Sequence, residues 1–255
     1  MRRAAVTATL ILTAAAGTAS ADIIYATGYR SGIYAVDLDA GTVTRVSTDR
    51  NAWSIAGSDD PTKLYLARSN GSLRMLDVET GNITGIGGTF TNNAMTFGLD
   101  GNLYAGAWGN GYLYRVDPGT GSATLVGDTG LPGFEGDLAP AADGSLYGLT
   151  TDNRIVSIDT ITGASTTLAD LTGTVDAWGI AATFDGRFWV SSASSLYRYD
   201  LSTGSLTFAL DLGFNAYDLA STPGMTYESY GAIPTPAGAA LLGAGSLFAF
   251  RRRKA

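Results

Sequence analysis

The chain has 255 residues, with 34 Gly, 7 Pro, no Cys and no His, and a formal net charge of −7 from 16 basic and 23 acidic residues. Without Cys or His there are no disulfides, thiolate metal sites, cysteine nucleophiles, or imidazole bases and ligands. With 45% apolar and only 15% charged residues, the composition is that of a turn-rich β protein and not of a disordered chain.

Residues 1–21 read MRRAAVTATLILTAAAGTASA: a basic start at Arg2 and Arg3, an apolar core over 4–16, and Ala19-Ser20-Ala21 ahead of Asp22. A basic start, a short apolar core and an A-x-A site make a secretory signal peptide, a substrate for signal peptidase. The stretch is too short and small-residue-rich for a comfortable membrane span.

After it one segment recurs five times: IYAVDLDAGTVT (33–44), LRMLDVETGNIT (73–84), LYRVDPGTGSAT (113–124), IVSIDTITGAST (155–166) and LYRYDLSTGSLT (196–207). The Asp falls at 37, 77, 117, 159 and 200, always followed by Gly four residues later and Thr seven residues later. A repeat of about 40–45 residues holding several short strands marks a β-propeller blade. Four strands are expected per repeat. An entry strand (SIAGS, AMTFG, DLAPA, GIAAT or DLAST) leads into a tight turn at Asp60-Pro61, Asp100-Gly101, Asp143-Gly144 or Asp185-Gly186. A second strand such as LYAGA follows, then the LYRVD-type strand, the D-x-x-x-G turn and an outer strand such as ATLVG. Asp and Gly favour such hairpins because both tolerate positive φ.

The first copy begins at Ile23-Ile24-Tyr25 without an entry strand, and a spare one, 216–220, stands at the far end. Pairing the two predicts a composite blade that joins the chain ends. The expected fold is therefore all-β: a five-bladed β-propeller over 22–221, with an incomplete or differently closed ring as the alternative.

The repeated residues read as structural. An Asp carboxylate accepts the N–H groups of its own turn, and Gly four residues later takes the left-handed position. Asp37-x-Asp39-x-Gly41 is a poor calcium loop, because no bidentate Glu follows. The five Thr residues lie around a circumference, on outer strands that Thr suits, and not in the plane an ice surface would need.

Functional residues are expected on the opposite face, where the loops vary: ATGYRSG (26–32), ARSNGS (67–72), GAWGNGY (106–112) and LTTDNR (149–154). Beside them stand Asn51, Trp53, Asn92, Asn93, Glu135, Asp176, Trp178, Asn215 and Tyr217, with Tyr29, Arg30 and Trp108 from the loops themselves. Aromatic rings stack on the apolar faces of sugars while amides and carboxylates bind hydroxyls, which makes Asn51, Trp53, Trp108, Asp176, Trp178, Asn215 and Tyr217 the candidate ligand-binding set. The competing reading is that Trp53, Trp178 and Tyr217 plug the channel or wedge between blades. Glu135, Asp137, Asp176 and Asp218 are the acidic residues near the inner strand ends, and the candidates if the site hydrolyses a glycosidic bond with two carboxylates.

A linker over 222–232 leads to the last segment, 233–255. It holds Ile233-Pro234-Thr235-Pro236, the apolar run AGAALLGAGSLFAF (237–250), and Arg251, Arg252, Arg253 and Lys254 before Ala255. As a helix this run reaches about 21 Å, short of the ~30 Å hydrocarbon core. The terminal cations should stay cytoplasmic, leaving the upstream chain outside. These features resemble the PEP-CTERM tail, with Thr235 where Glu is commonest. The resemblance implies recognition by exosortase, a membrane transpeptidase that cuts near the Pro-x-Pro motif, and a location at the cell surface or in an exopolysaccharide layer. A plain C-terminal anchor is the alternative. Six of the basic residues and no acidic one lie in the two ends, so the stretch between them carries ten basic against 23 acidic residues, a net charge near −13. Such a field disfavours nucleic acid and anionic lipid as partners. The chain carries no nucleotide loop, nucleophile elbow or metal cluster, so no cofactor or metal is expected. The leading expectation is an exported, non-catalytic binding or matrix protein with a polysaccharide ligand. The alternatives are a carbohydrate-active enzyme and a protein-interaction scaffold.

Overall fold

Every repeat forms the antiparallel sheet that its apolar runs and Asp/Gly turns call for. A computed structural model describes residues 22–88, 92–183, 186–222 and 224. The signal peptide with Ala19 and Ala21, the sorting tail with Pro234, Thr235, Pro236, Arg251, Arg252 and Arg253, most of the linker, and Asp185 lie outside the described residues.

Twenty strands make five four-stranded sheets. The composite blade pairs β20 (Ala216–Ala220), β1 (Ile23–Gly28), β2 (Gly32–Asp37) and β3 (Thr42–Ser47) in that order. The next is β4 (Ala52–Gly57), β5 (Lys63–Arg68), β6 (Ser72–Asp77) and β7 (Ile83–Gly88). The third holds β8 (Ala94–Phe97), β9 (Leu103–Gly106), β10 (Tyr112–Val116) and β11 (Ala123–Asp128). The fourth is β12 (Phe134–Pro140), β13 (Leu146–Thr150), β14 (Arg154–Ile158) and β15 (Ser165–Asp170). The fifth is β16 (Gly179–Ala182), β17 (Phe188–Ser192), β18 (Ser195–Asp200) and β19 (Ser205–Asp211).

Innermost strands touch in the cyclic order β4, β8, β12, β16, β20 and back to β4, so the molecule is a closed five-bladed β-propeller. Closure comes from the two chain ends: Tyr25 faces Ala220, Ala26 faces Leu219 and Thr27 faces Asp218. This joint completes the first blade to four strands, so that none of the five sheets is left short of a strand.

The core is divided into five wedges, each between two neighbouring blades. One holds Leu149 and Ile155 against Ile180 and Val190, and another Ile24 and Val36 against Trp189 and Leu196. Burying each such side chain contributes roughly 1.5–3 kcal/mol, and no wedge exists without both blades. The second strands are buried on both faces, whereas the third strands alternate and the outer strands are mostly exposed.

The D-x-x-x-G turns perform a further task. Asp159 Oδ1 accepts the Ile161 and Thr162 N–H groups, and the Gly163 N–H returns to the Asp159 carbonyl at 2.8 Å. Gly163 has φ +78°, a left-handed position that Gly adopts without a Cβ penalty. The Thr162 carbonyl of that turn lies where a Cβ on Gly127 would sit, 2.0 Å away, and Thr120 stands in the same relation to Gly87. Each of these turns docks on the outer strand of the preceding blade, which explains Gly in β7 and β11. The five repeat Thr side chains are exposed on the outer strands.

Candidate functional site

In a propeller, each inner strand has one edge paired within its blade and one facing the axis. The axial N–H groups need partners, and two carboxylates supply several of them. Asp137 on β12 accepts the Leu138 N–H at 2.7 Å through Oδ1; through Oδ2 it accepts Ile180 N–H of β16 at 3.1 Å and Leu219 N–H of β20 at 2.8 Å. One side chain thereby ties three inner strands. Asp218 Oδ1 accepts Ile55 N–H of β4 at 3.4 Å, while its Oδ2 has no donor and stands beside the Asp137 carboxyl. Both residues are fully buried. Desolvation, the largest cause, holds both well above the ordinary carboxylate range; for Asp218 the adjacent Asp137 charge adds to it. Asp137 and Asp218 thus serve the ring, beneath the floor of the site.

Above this floor, strand ends and loops enclose a cavity of about 650 Å³, within the range of about 300–1,000 Å³ usual for small-molecule sites. Tyr29, Trp53, Trp108, Trp178 and Tyr217 supply its aromatic lining, and Arg30, Arg50, Asn51, Asn93 and Glu135 its polar groups. Thr27 and Gly136 belong to the floor, and the buried Thr27 hydroxyl has no hydrogen-bond partner. Several backbone contacts fix these positions. Tyr29 N–H donates to the Asn215 carbonyl at 3.0 Å, and Trp178 N–H to the Ser191 carbonyl at 2.9 Å. The Trp108 carbonyl fits against Gly133, where a Cβ would meet it at 2.0 Å. Asp49, buried and ion-paired with Arg68, accepts Asn51 N–H and so anchors the Arg50-Asn51 corner.

The aromatics form a platform. Tyr217 lies between Tyr29 and Trp178, with both centroid separations 4.9 Å. The Arg30 guanidinium sits 5.1 Å from the Tyr29 ring centre. The rim aromatics keep much of their surface: Trp108 is 60% exposed, Tyr29 52%, Trp53 49% and Tyr217 41%. Trp178 is half-buried, and Trp189, in strand β17, belongs to the core.

The candidates thus divide into groups. Asn51, Trp53, Trp108, Glu135, Trp178 and Tyr217 all line the cavity. Asp176 and Asn215 are exposed flanking residues: Asp176 accepts the Trp178 indole N–H at 3.3 Å, and Asn215 positions Tyr29 through its carbonyl. Glu135 is the carboxylate in the lining; partial burial raises its pKa, against the hydrogen bond from the Trp108 indole. Sequence patterns did not single out Thr27, Arg50, Ser69 or Gly136. Arg50 carried the best available signal, as a cation just ahead of an entry strand in an acidic domain.

No family model matches this chain, and no curated protein matches its sequence. Solved structures match its fold. A chain in a crystal structure of a nidogen/laminin complex aligns with TM-score 0.54 at 12% identity, over 79% of this chain and 98% of that one. A structural-genomics protein of unknown function from Bacteroides thetaiotaomicron VPI-5482 aligns with TM-score 0.56 at 17% identity, over 82% of this chain and 66% of that one. At these identities the likeness is one of architecture.

Proposed function

We propose that this protein is a non-catalytic carbohydrate-binding module, exported and held at the cell surface or in an extracellular polysaccharide layer. The carrying observation is the open cavity lined by exposed aromatics at the loop-rich end of the propeller. The exposed rings of Trp53 and Trp108, beside the Tyr29–Tyr217–Trp178 stack, offer apolar faces to pyranose rings, and Asn51, Asn93 and Glu135 offer acceptors and donors to hydroxyls. Export and sorting rest on the A-x-A site and the PEP-CTERM-like tail, which makes signal peptidase and an exosortase-type enzyme the processing partners. That the nidogen/laminin structure contains a propeller of similar build agrees with binding as a use of this architecture.

A glycosidase reading is less well supported by the carboxylates. Such enzymes flank the scissile bond with two of them. Of the four candidates only Glu135 lines the cavity; Asp137 and Asp218 are occupied by inner-strand amides, and Asp176 flanks it.

The test is affinity electrophoresis of the purified full chain through gels containing neutral and acidic polysaccharides, with the same mixtures assayed for new reducing ends. Retardation without new ends is expected. The Trp53→Ala/Trp178→Ala double variant should lose retardation by tenfold or more while keeping its β-sheet circular dichroism. Product release abolished by Glu135→Gln would replace the binding reading with the enzymatic one.

A further inference from the structure

The charge of the molecule is unevenly placed. The face with the short turns carries the five repeat Asp residues together with Asp39, Asp60, Asp100 and Asp143, and its cations Lys63 and Arg187 are ion-paired there with Asp77 and Asp22. The cavity lining instead holds two cations, Arg30 and Arg50, against one carboxylate, Glu135, with Asp176 at its flank. Arg30 and Arg50 both line it, both are exposed, and neither has an acidic partner among the described residues. Arg30 also holds φ +53°, an uncommon backbone position for a residue with a side chain, and its guanidinium is kept in place by the Tyr29 ring.

A second, shallower cleft begins where the cavity ends. It runs down the side of the ring between β3 and the Gly81–Ile83 segment of the next blade, and Arg50 and Asn51 line both spaces. Arg45 and Arg68 join Arg50 in that cleft. Arg68 is neutralised by buried Asp49, whereas Arg45 has no acidic partner among the described residues. A path therefore leads from Arg30 across the aromatic lining to Arg50 and on to Arg45. Unpaired cations at intervals along an otherwise acidic protein match a chain carrying anions at intervals. The planar guanidinium fork suits carboxylates in particular.

We propose that the ligand is an acidic polysaccharide, bearing carboxylates on its sugar units, whose chain lies in the cavity and continues past Arg50 into the cleft toward Arg45. The inference rests on the carbohydrate-binding reading above and adds charge and direction to it. Aromatic rings take the sugar faces, Arg30 and Arg50 take carboxylates at the two sides of the cavity, and Arg45 takes one further along. The net field of the protein repels polyanions at long range, so any affinity must come from these local contacts.

The experiment compares polygalacturonate, alginate and hyaluronan with the carboxyl-reduced, neutral form of polygalacturonate, all against the purified full chain. At least one acidic polymer should bind about tenfold or more tightly than the reduced polymer, and added NaCl should narrow the gap. Arg50→Gln should remove most of the preference, Arg45→Gln a smaller part, and Arg50→Lys should restore part of it. Unchanged melting temperatures would show that these exposed substitutions leave the ring intact. Equal binding of acidic and reduced polymers, untouched by Arg50→Gln, would overturn the charge inference while leaving carbohydrate binding standing. If no polymer binds, acidic or neutral, the carbohydrate reading fails and this inference fails with it.

Discussion

The two faces of the ring use the same amino acid for opposite ends. On the turn face Asp recurs in every blade, partly or fully exposed, with its carboxylate accepting turn N–H groups; the Thr162 and Ile161 N–H groups hold Asp159 below its ordinary pKa, and the Ser202 side chain together with turn N–H groups holds Asp200 below its own. At the axis, toward the loop face, Asp137 and Asp218 hold one position in two of the five entry strands, both fully buried and held well above their ordinary pKa. A residue demanded five times over is answering a need of the scaffold, and a shared turn meets it. A residue found in only two of the five entry strands answers a local need, which for Asp137 is to accept amides from β16 and β20 of two other blades. The same division separates uniform turns from the varied loops that carry Tyr29, Arg30 and Trp108.

The difference can be tested by breaking each side. Asp137→Ala leaves the Ile180 and Leu219 amides without their acceptor in a dry interior, and should cost about 3–5 kcal/mol in denaturant unfolding. Asp159→Ala loses equally short hydrogen bonds in solvent and should lower the melting temperature by only a few degrees. Similar losses for the two would erase the distinction between axis and turn.

Next in size is Gly121→Ala. It places a Cβ at φ +79° and 2.8 Å from the Gly88 carbonyl oxygen, so a loss of about 1–2 kcal/mol is expected from the left-handed backbone alone. Gly101, also left-handed at φ +77° but with open space around it, should tolerate Ala better. A larger loss at Gly101 than at Gly121 would show that turn-on-strand docking adds nothing to the left-handed backbone as a demand for the repeat Gly.

The pH dependence separates the faces by sign. Carboxylates with raised folded pKa bind more protons in the folded than in the unfolded state, so the stability from the axial pair is present below about pH 4 and is lost as pH rises through the folded value. The turn carboxylates with lowered pKa contribute above about pH 4 and lose their contribution as pH falls. The melting temperature should therefore decline from mildly acidic toward neutral pH. Asp218→Asn should flatten that decline, because an amide beside Asp137 carries no charge to repel. A decline that persists unchanged in Asp218→Asn would assign it to other groups. The smallest effect is expected at Thr124→Ala on the exposed outer strand β11, within about 0.5 kcal/mol of the parent.

The propeller was legible because its information is redundant. Five copies of a D-x-x-x-G-x-x-T segment, at one spacing, declare the blade, its turns and the blade count. The missing entry strand before Ile23 and the spare one at Ala216 declare how the ring closes, since unpaired edges leave only one economical joint. The site was legible in outline, because variable loops on a repetitive frame concentrate Trp53, Trp108 and Trp178 at one end. Its inner order was not. Asp137, Asp176 and Asp218 read alike as letters near inner strand ends, yet one ties three strands, one rests against an indole in solvent, and one shares a buried pair.

What the sequence determined alone is everything that follows from local, repeated pattern: strands, turns, left-handed glycines, blade number and the face on which the loops vary. Tertiary structure alone decided which side chains remain exposed after the blades close, Trp53 and Trp108 among them. It also decided that Arg50 belongs to two spaces at once. These facts depend on contacts between residues far apart in the chain, such as Asp137 with Leu219, and no periodicity records contacts made once.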